Sequence, residues 1–463
     1  MIGRSQEQKE LRRAYESSES EFIMVYGRRR VGKTYLVREF FKDRFVFFCT
    51  GIAKGSREEQ LMNFRASLVG AGDENPGAVP HNWMEAFEML KSLTERSEDS
   101  RKVIFLDEVP WMYTQKSDFL KALDHFWNGW ACYRKDVILI VCGSAASWMV
   151  KKIVKDKGGL HNRITLPLKL LPFTLEETRQ YLFSQGIDWD LKTVAECYMS
   201  LGGIPYYLRL LDKGMSLAQN IDRLFFSRNA ILKQEFENLY ASLFKESKEY
   251  IKIVEILSRK KMGYTRDEII AAGGFKDGGS VTEKLEDLEE CGFIRKYVSR
   301  GEVNHLYQLT DFYTLFYYQI IKGGQESGDE NYWMHKQGTQ TYSVWKGLSF
   351  ERLCFAHLQQ IKRALGIEGV STKAFAYRGK GFQIDMILER EDRHVNIFEM
   401  KYHDGPVPVS REYAQKLDAR KEKVALLYKK RMAFSTVLVT VDGLQSGGSS
   451  SVQRTLTIED LFN

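Results

Sequence analysis

Residues 22–41 read FIMVYGRRRVGKTYLVREFF: an apolar run, a basic loop bounded by glycines, and a helical pattern. The loop, Gly27-Arg28-Arg29-Arg30-Val31-Gly32-Lys33-Thr34, matches G-x-x-x-x-G-K-[ST] at every fixed position. Glycines let the backbone curl so that successive N–H groups face one phosphate, and the following helix adds the partial positive charge of its N-terminus. In this pattern Lys33 reaches the β- and γ-phosphates and the Thr34 hydroxyl ligates Mg²⁺. The loop itself is formed by Gly27 and Gly32. A basic turn with no ligand is the alternative, but the strand-like run before it and the helical run after it favour a triphosphate site.

Working outward, residues 5–16 form a charged amphipathic pattern with Leu11 and Tyr15 on one face and Ser5 as a helix cap. Phe45–Phe48 reads as a buried strand, and 56–70 and 83–96 as helices. This alternation predicts a mostly parallel, three-layered sheet. The run VIFLDEVP, 103–110, ends four apolar residues in Asp107 and Glu108. Ligands of open α/β sheets sit at the carboxyl ends of strands, so Asp107 is expected to hold Mg²⁺ and Glu108 to orient the attacking water. A further strand, 136–142, runs into Gly143 and Ser144, which would lie beside a γ-phosphate or simply cap a helix. The glycine pair 158–159 precedes Arg163, which would reach a nucleotide in its own or a neighbouring subunit, or stay solvated.

The chain has 463 residues, 43% hydrophobic and 28% charged, with a formal charge of +7. That length predicts about three domains with cores of their own and argues against extended disorder. The charge permits an anionic partner without requiring one. Six scattered cysteines without C-x-x-C spacing argue against a zinc site or a disulfide framework. The opening MIGRSQEQKELRR lacks an apolar signal region, and no apolar run approaches bilayer length. The expectation is a cytoplasmic protein with no membrane partner.

With these pieces in place, residues 1 to about 240 resemble AAA-type ATPases of the archaeal and bacterial ATPase_2 group, close to the STAND and origin-recognition ATPases. The matching segments are Gly3-Arg4, GRRRVGKT, VIFLDEV, LIVCGS, the segment ending in Arg163, and Gly202-Gly203-Ile204-Pro205. The resemblance implies that Arg4 and Pro205 flank the adenine of ATP and that Arg163 is an arginine finger. The chain departs from many AAA enzymes in placing Tyr206 and Tyr207, not a second sensor arginine, after Pro205. Residues 172–232 alternate helical periods with glycine breaks and are expected to form a helical lid, Pro172 opening its first helix.

From 246 to 309 the pattern gives three helices and two strands turning at Arg300-Gly301, a winged helix. The would-be reading helix, 280–290, carries Glu283, Glu286, Asp287, Glu289 and Glu290 against Lys284 alone, which disfavours reading of a major groove. If this unit touches DNA, the wing, with Arg295, Lys296 and Arg300, is the better candidate; a packing or protein-contact role is the alternative. Residues 322–330, KGGQESGDE, have the composition of a linker.

Beyond them, a helix carries Glu351, a strand carries Asp385, and the next strand carries Glu399 and Lys401 on one face. Carboxylates on adjacent strands with a nearby lysine suit metal-dependent phosphodiester cleavage: the acids hold Mg²⁺ or Mn²⁺, the metal activates water, and Lys401 positions or deprotonates it. The order of these elements resembles the PD-(D/E)xK nuclease fold and the DUF234 domain that accompanies such ATPases. Residues 411–431 add eight bases against three acids, suited to a phosphate backbone or merely solvated.

The expected architecture is multidomain α/β: a P-loop AAA-type core (1–171), a helical lid (172–240), a winged helix (241–321) and a restriction-endonuclease-like α/β domain (331–463). The expected function is ATP hydrolysis controlling a nuclease-like domain acting on DNA, with assembly into a homo-oligomer if Arg163 works in trans. The alternative is a regulatory switch whose C-terminal domain only binds partners.

Overall fold

A computed structural model describes residues 1–42, 44–73, 77–114, 117–155, 159–160, 162–298, 305–379, 382–445 and 450–463. The turn expected at Arg300-Gly301 lies outside the described residues. The chain divides into two compact units, Met1–Pro172 with Glu286–Gly292, and Phe173–Leu285 with Phe293–Asn463.

The first unit is built on five parallel strands: β1 (Glu21–Tyr26), β2 (Phe47–Thr50), β3 (Lys102–Asp107), β4 (Val137–Gly143) and β5 (Leu166–Lys169), in the order β2-β3-β4-β1-β5. Strands β3 and β4 are buried at every residue. This is the signature of a parallel sheet covered by helices on both faces, and it explains why VIFL and VILIVC read as unbroken apolar runs. Phe22, Met24, Ile104, Leu106, Leu139 and Val141 share one core with Phe64, Trp83 and Phe87 from the helices Arg57–Gly70 and Trp83–Arg96. Phe105, on the opposite face, packs on Phe45 and Phe48 with ring centroids 5.7 and 5.2 Å apart. The helix Ser5–Glu16 forms where expected, but its cap is Arg4, in the left-handed region at φ 59°, and not Ser5.

The second unit opens with helices, the first of which is Leu175–Ser184. That helix starts on a capping box between Thr174 and Glu177, so Pro172 precedes the helix without opening it. The helices Ser247–Ser258, Arg266–Gly273 and Gly279–Glu290 follow, the last ending in the first unit's segment. A three-stranded antiparallel sheet of β6 (Tyr264–Thr265), β7 (Ile294–Tyr297) and β8 (Leu306–Leu309) accompanies them, in the order β6-β8-β7.

The stretch 322–330 is not a simple linker. Lys322–Ser327 is helical, and its Gln325 donates to the carbonyls of Phe225 and Lys233 at 3.3 and 3.2 Å. Gly324 is there for close packing: a Cβ at this position would stand 2.3 Å from the Phe226 ring and 2.5 Å from that of Tyr332.

The C-terminal sheet holds β9 (Thr372–Gly379), β10 (Phe382–Arg390), β11 (His394–Lys401), β12 (Ala433–Thr440) and β13 (Arg454–Leu456), in the order β13-β12-β11-β10-β9. β9, β10 and β11 are antiparallel neighbours, whereas β12 and β13 join in parallel. The preceding helical segment belongs to the same unit. Glu196 accepts from the hydroxyls of Tyr342, at 2.8 Å, and Tyr402, and Asp222 accepts from the backbone N–H of Trp333 at 2.7 Å.

His357 is fully buried, with Nε2 accepting from Leu175 N at 3.0 Å and Nδ1 facing the Leu353 carbonyl at 2.9 Å. Nε2 must therefore be unprotonated, and burial lowers the ring's pKa to about 4 from its ordinary 6.5. The unfolded chain takes up this proton at higher pH than the folded one. Stability is thus fully present above 6.5 and is lost as pH falls through 4, by roughly 3 kcal/mol across the window. His357→Gln, which cannot titrate, should flatten that part of the stability-versus-pH curve measured by denaturant unfolding. An unchanged slope would contradict the neutral buried ring.

Candidate functional site

Parallel pairing puts the carboxyl ends of β1, β3 and β4 on one edge: Tyr26 lies opposite Gly143, and Leu106 opposite Val141. The loop 27–32 leaves β1 there and runs into the helix Lys33–Phe41. Gly27 has φ 144°, and a Cβ on it would lie 2.3 Å from the Leu170 carbonyl oxygen. Gly32 has φ 92° and faces open space, the room a phosphate cradle needs. Lys33 is buried and donates to the carbonyls of Gly27 and Arg28 at 3.0 and 2.9 Å, folded back over the loop it would serve. Arg4 is also buried, and its guanidinium donates to the Val31 carbonyl at 3.1 Å, tying the leading segment to the loop.

Asp107 and Glu108 arrive at this edge from β3. The Thr34 hydroxyl donates to Asp107 Oδ2 at 2.9 Å, and Asp107 Oδ1 accepts from the Glu108 N–H at 3.0 Å. Burial, then the neighbouring Glu108 charge, raises the Asp107 carboxyl above its usual range. A hydroxyl and a carboxylate in contact, with a second acid beside them, form the hard oxygen set that suits Mg²⁺. Glu108 adopts φ 50°, a conformation that costs an ordinary residue energy and turns it out of the strand. Its carboxylate accepts from the Ser144 N–H at 3.1 Å and from the Ser144 hydroxyl. Thr34, Asp107, Glu108 and Ser144 thus make one hydrogen-bonded chain from the loop across β3 to β4.

Arg163 does not join this chain: it is exposed, in a turn where its N–H donates to the Leu160 carbonyl at 3.1 Å. Pro205 opens the short helix Pro205–Leu208 in the second unit.

The second unit brings Glu351, Asp385 and Glu399 together, each with 12–15% of its side chain exposed. Glu351 comes from the helix Gln340–Ala356. Asp385 sits where the register of β10 on β9 shifts, and Oδ2 accepts from the Met400 N–H at 3.1 Å. Among the described residues no three His, Cys, Asp or Glu side chains stand as a metal-holding group. Cations hold the acids instead. Lys261 Nζ pairs with Glu351 and lies 3.3 Å from Asp385, while Arg420 pairs with Glu399, which also accepts from the Tyr413 hydroxyl at 3.2 Å. The Lys401 ammonium lies 3.7 Å from the centre of the Tyr413 ring. Burial and then Asp385 raise Glu351 to about 7 and also raise Glu399, whereas burial lowers Lys401.

Lys261, Tyr413 and Arg420 escaped the sequence reading. Arg420 had a signal, being one of the bases of 411–431, but Lys261 is ninety residues from Glu351 and carried none.

The expected wing contact needs correcting at Arg295. Its Nε donates to Gln308 at 2.6 Å and its guanidinium stacks 3.8 Å from the centre of the Phe355 ring, so it faces the interior. Lys284, the one base of the acidic helix, is buried between Glu246 and Glu249 at 3.0 Å each.

Residues 1–211 match the family model of an ATPase domain found predominantly in Archaea. An uncharacterized protein of Methanocaldococcus jannaschii is 25% identical over 87% of this chain and 88% of its own. The Walker-type ATPase PABY2304 of Pyrococcus abyssi has 18% identity and a TM-score of 0.51, covering 69% of this chain and 96% of its own, which shows a common fold. No described helix is long and apolar enough to cross a membrane. The N-terminal 211 residues are therefore similar to an archaeal-type ATPase domain, and the chain shares the fold of a Walker-type ATPase.

Proposed function

We propose that the chain is an Mg-ATP-hydrolysing, AAA/STAND-type switch whose nucleotide state controls a metal-dependent nuclease-like domain acting on DNA. The observation that carries the ATPase half is the hydrogen-bonded chain Thr34–Asp107–Glu108–Ser144 beside the loop of Lys33. Bound ATP would draw Lys33 from the Gly27 and Arg28 carbonyls to its phosphates. Thr34 and Asp107 would hold Mg²⁺, Glu108 would orient water, and Ser144 would respond to the γ-phosphate. Arg4 and Pro205 are assigned to the adenine and Arg163 to the transition-state charge, in cis or across a homo-oligomer. Residues 1–171 are the core, 172–240 the lid, 241–321 a winged helix and 331–463 the nuclease-like domain.

The nuclease half rests on Glu351, Asp385 and Glu399 gathered beside Lys401. Mg²⁺ or Mn²⁺ there would activate water and stabilise the phosphorane charge. A plasmid-nicking assay with either metal, with and without ATP, should yield cleavage that falls about 10²-fold or more in Asp385→Ala. Absence of cleavage by the native chain in every condition would leave the alternative, a switch whose C-terminal domain binds partners. One observation favours that alternative: a lysine already neutralises the acid pair.

A further inference from the structure

Lys261 lies in the turn between the helix Ser247–Ser258 and β6, far in sequence from the C-terminal acids. Its backbone is fixed from three directions. The Lys261 carbonyl accepts from Arg352 and from Gln308 at 2.6 Å each, and the Tyr297 hydroxyl donates to the next carbonyl, Met262, at 2.6 Å. Arg352 is the neighbour of Glu351, so the helix that supplies the acid also anchors the turn. The ammonium is thereby delivered to Glu351 and to Asp385 Oδ1, while the other Asp385 oxygen is held by Met400 N–H.

Two like-charged, largely buried carboxylates side by side need a cation. Here the cation is a side chain of the chain itself, in contact with both acids that would hold a divalent ion. An ammonium and a divalent ion cannot share that position.

We propose that Lys261 is a built-in cation plug that closes the Glu351–Asp385 pair to divalent metal until the turn carrying it withdraws. The inference rests on the reading of these acids as a metal site and adds its regulation. Because the plug sits on the turn between the helix Ser247–Ser258 and β6, anything that withdraws that turn, such as a bound partner, would open the site. The acids need not be rebuilt for this: only one side chain has to leave.

Mn²⁺ binding to the full, chelator-stripped chain without nucleotide tests this, read by calorimetry and by the Mn²⁺-induced rise in melting temperature. Lys261→Met should bind one Mn²⁺ at least about tenfold more tightly than the native chain, the scale on which neighbouring groups tune metal sites. Its melting temperature should respond more strongly to the metal. Adding Asp385→Ala should erase both gains. Lys261→Gln, which keeps a polar group in the turn, should behave like Lys261→Met and guards against a variant that folds poorly.

If the native chain already binds Mn²⁺ as tightly as Lys261→Met, and Asp385→Ala abolishes that binding, the metal site stands and the plug is overturned. If no Asp385-dependent Mn²⁺ binding occurs in any of these proteins, the metal-site reading fails and takes the plug with it.

Discussion

Lys33→Ala is expected to abolish ATP turnover and to weaken ATP binding by about 10²-fold or more, the loss that follows removal of a charged partner from a desolvated ion pair. The structure makes the reason specific. Lys33 is the first residue of its helix and is buried beneath the loop, with its ammonium already satisfied by the loop's own carbonyls. To bind ATP it would exchange those carbonyls for phosphate oxygens. Calorimetric titration with ATP and a phosphate-release assay, run side by side, check both effects. An unchanged rate would remove the loop from the chemistry.

Glu108→Gln should separate binding from turnover. The amide has the shape of the carboxylate, and its oxygen can still accept from the Ser144 N–H, so the link from β3 to β4 survives. Removing the charge also relieves Asp107, whose carboxyl Glu108 pushes upward, and so leaves Mg²⁺ binding intact or improved. What is lost is the negative group that orients and polarises water. Turnover should fall by about 10²–10³-fold, within the range of general base catalysis, while ATP affinity stays within a few-fold. Equal losses in affinity and turnover would mean that Glu108 serves the fold of the site and not its chemistry.

The parts of the site legible in the sequence are those written in consecutive residues. GRRRVGKT encodes a backbone shape, and a strand ending in Asp-Glu encodes a position at the edge of a parallel sheet. The contact between Glu108 and Ser144 is of another kind, because it depends on β4 lying beside β3, which pairing in space decides. The C-terminal acids could be found because each sits on its own regular element. Lys261 could not, since it reaches them from a turn ninety residues before Glu351, and Arg420 was marked only as one of the bases of 411–431.

Composition misled in two places for physical reasons. The three glycines of KGGQESGDE suggest a flexible chain, yet Gly324 is small so that Phe226 and Tyr332 can approach a helix. Arg295 suggests a phosphate contact, yet Phe355 and Gln308 draw it inward. A basic residue on a short strand can face either way, and local sequence does not say which. The phosphate-loop pattern itself requires no charge at Arg28, Arg29 or Arg30, of which Arg28 is buried.

The central claim is that this chain hydrolyses ATP with a metal held by Thr34 and Asp107. Its most direct test is phosphate release by the purified full chain, measured over many turnovers with Mg²⁺ and again after chelation of all divalent metal. Sustained release that stops on chelation and resumes when Mg²⁺ is restored is the predicted result. ATP that binds and is never cleaved under any of these conditions would contradict it.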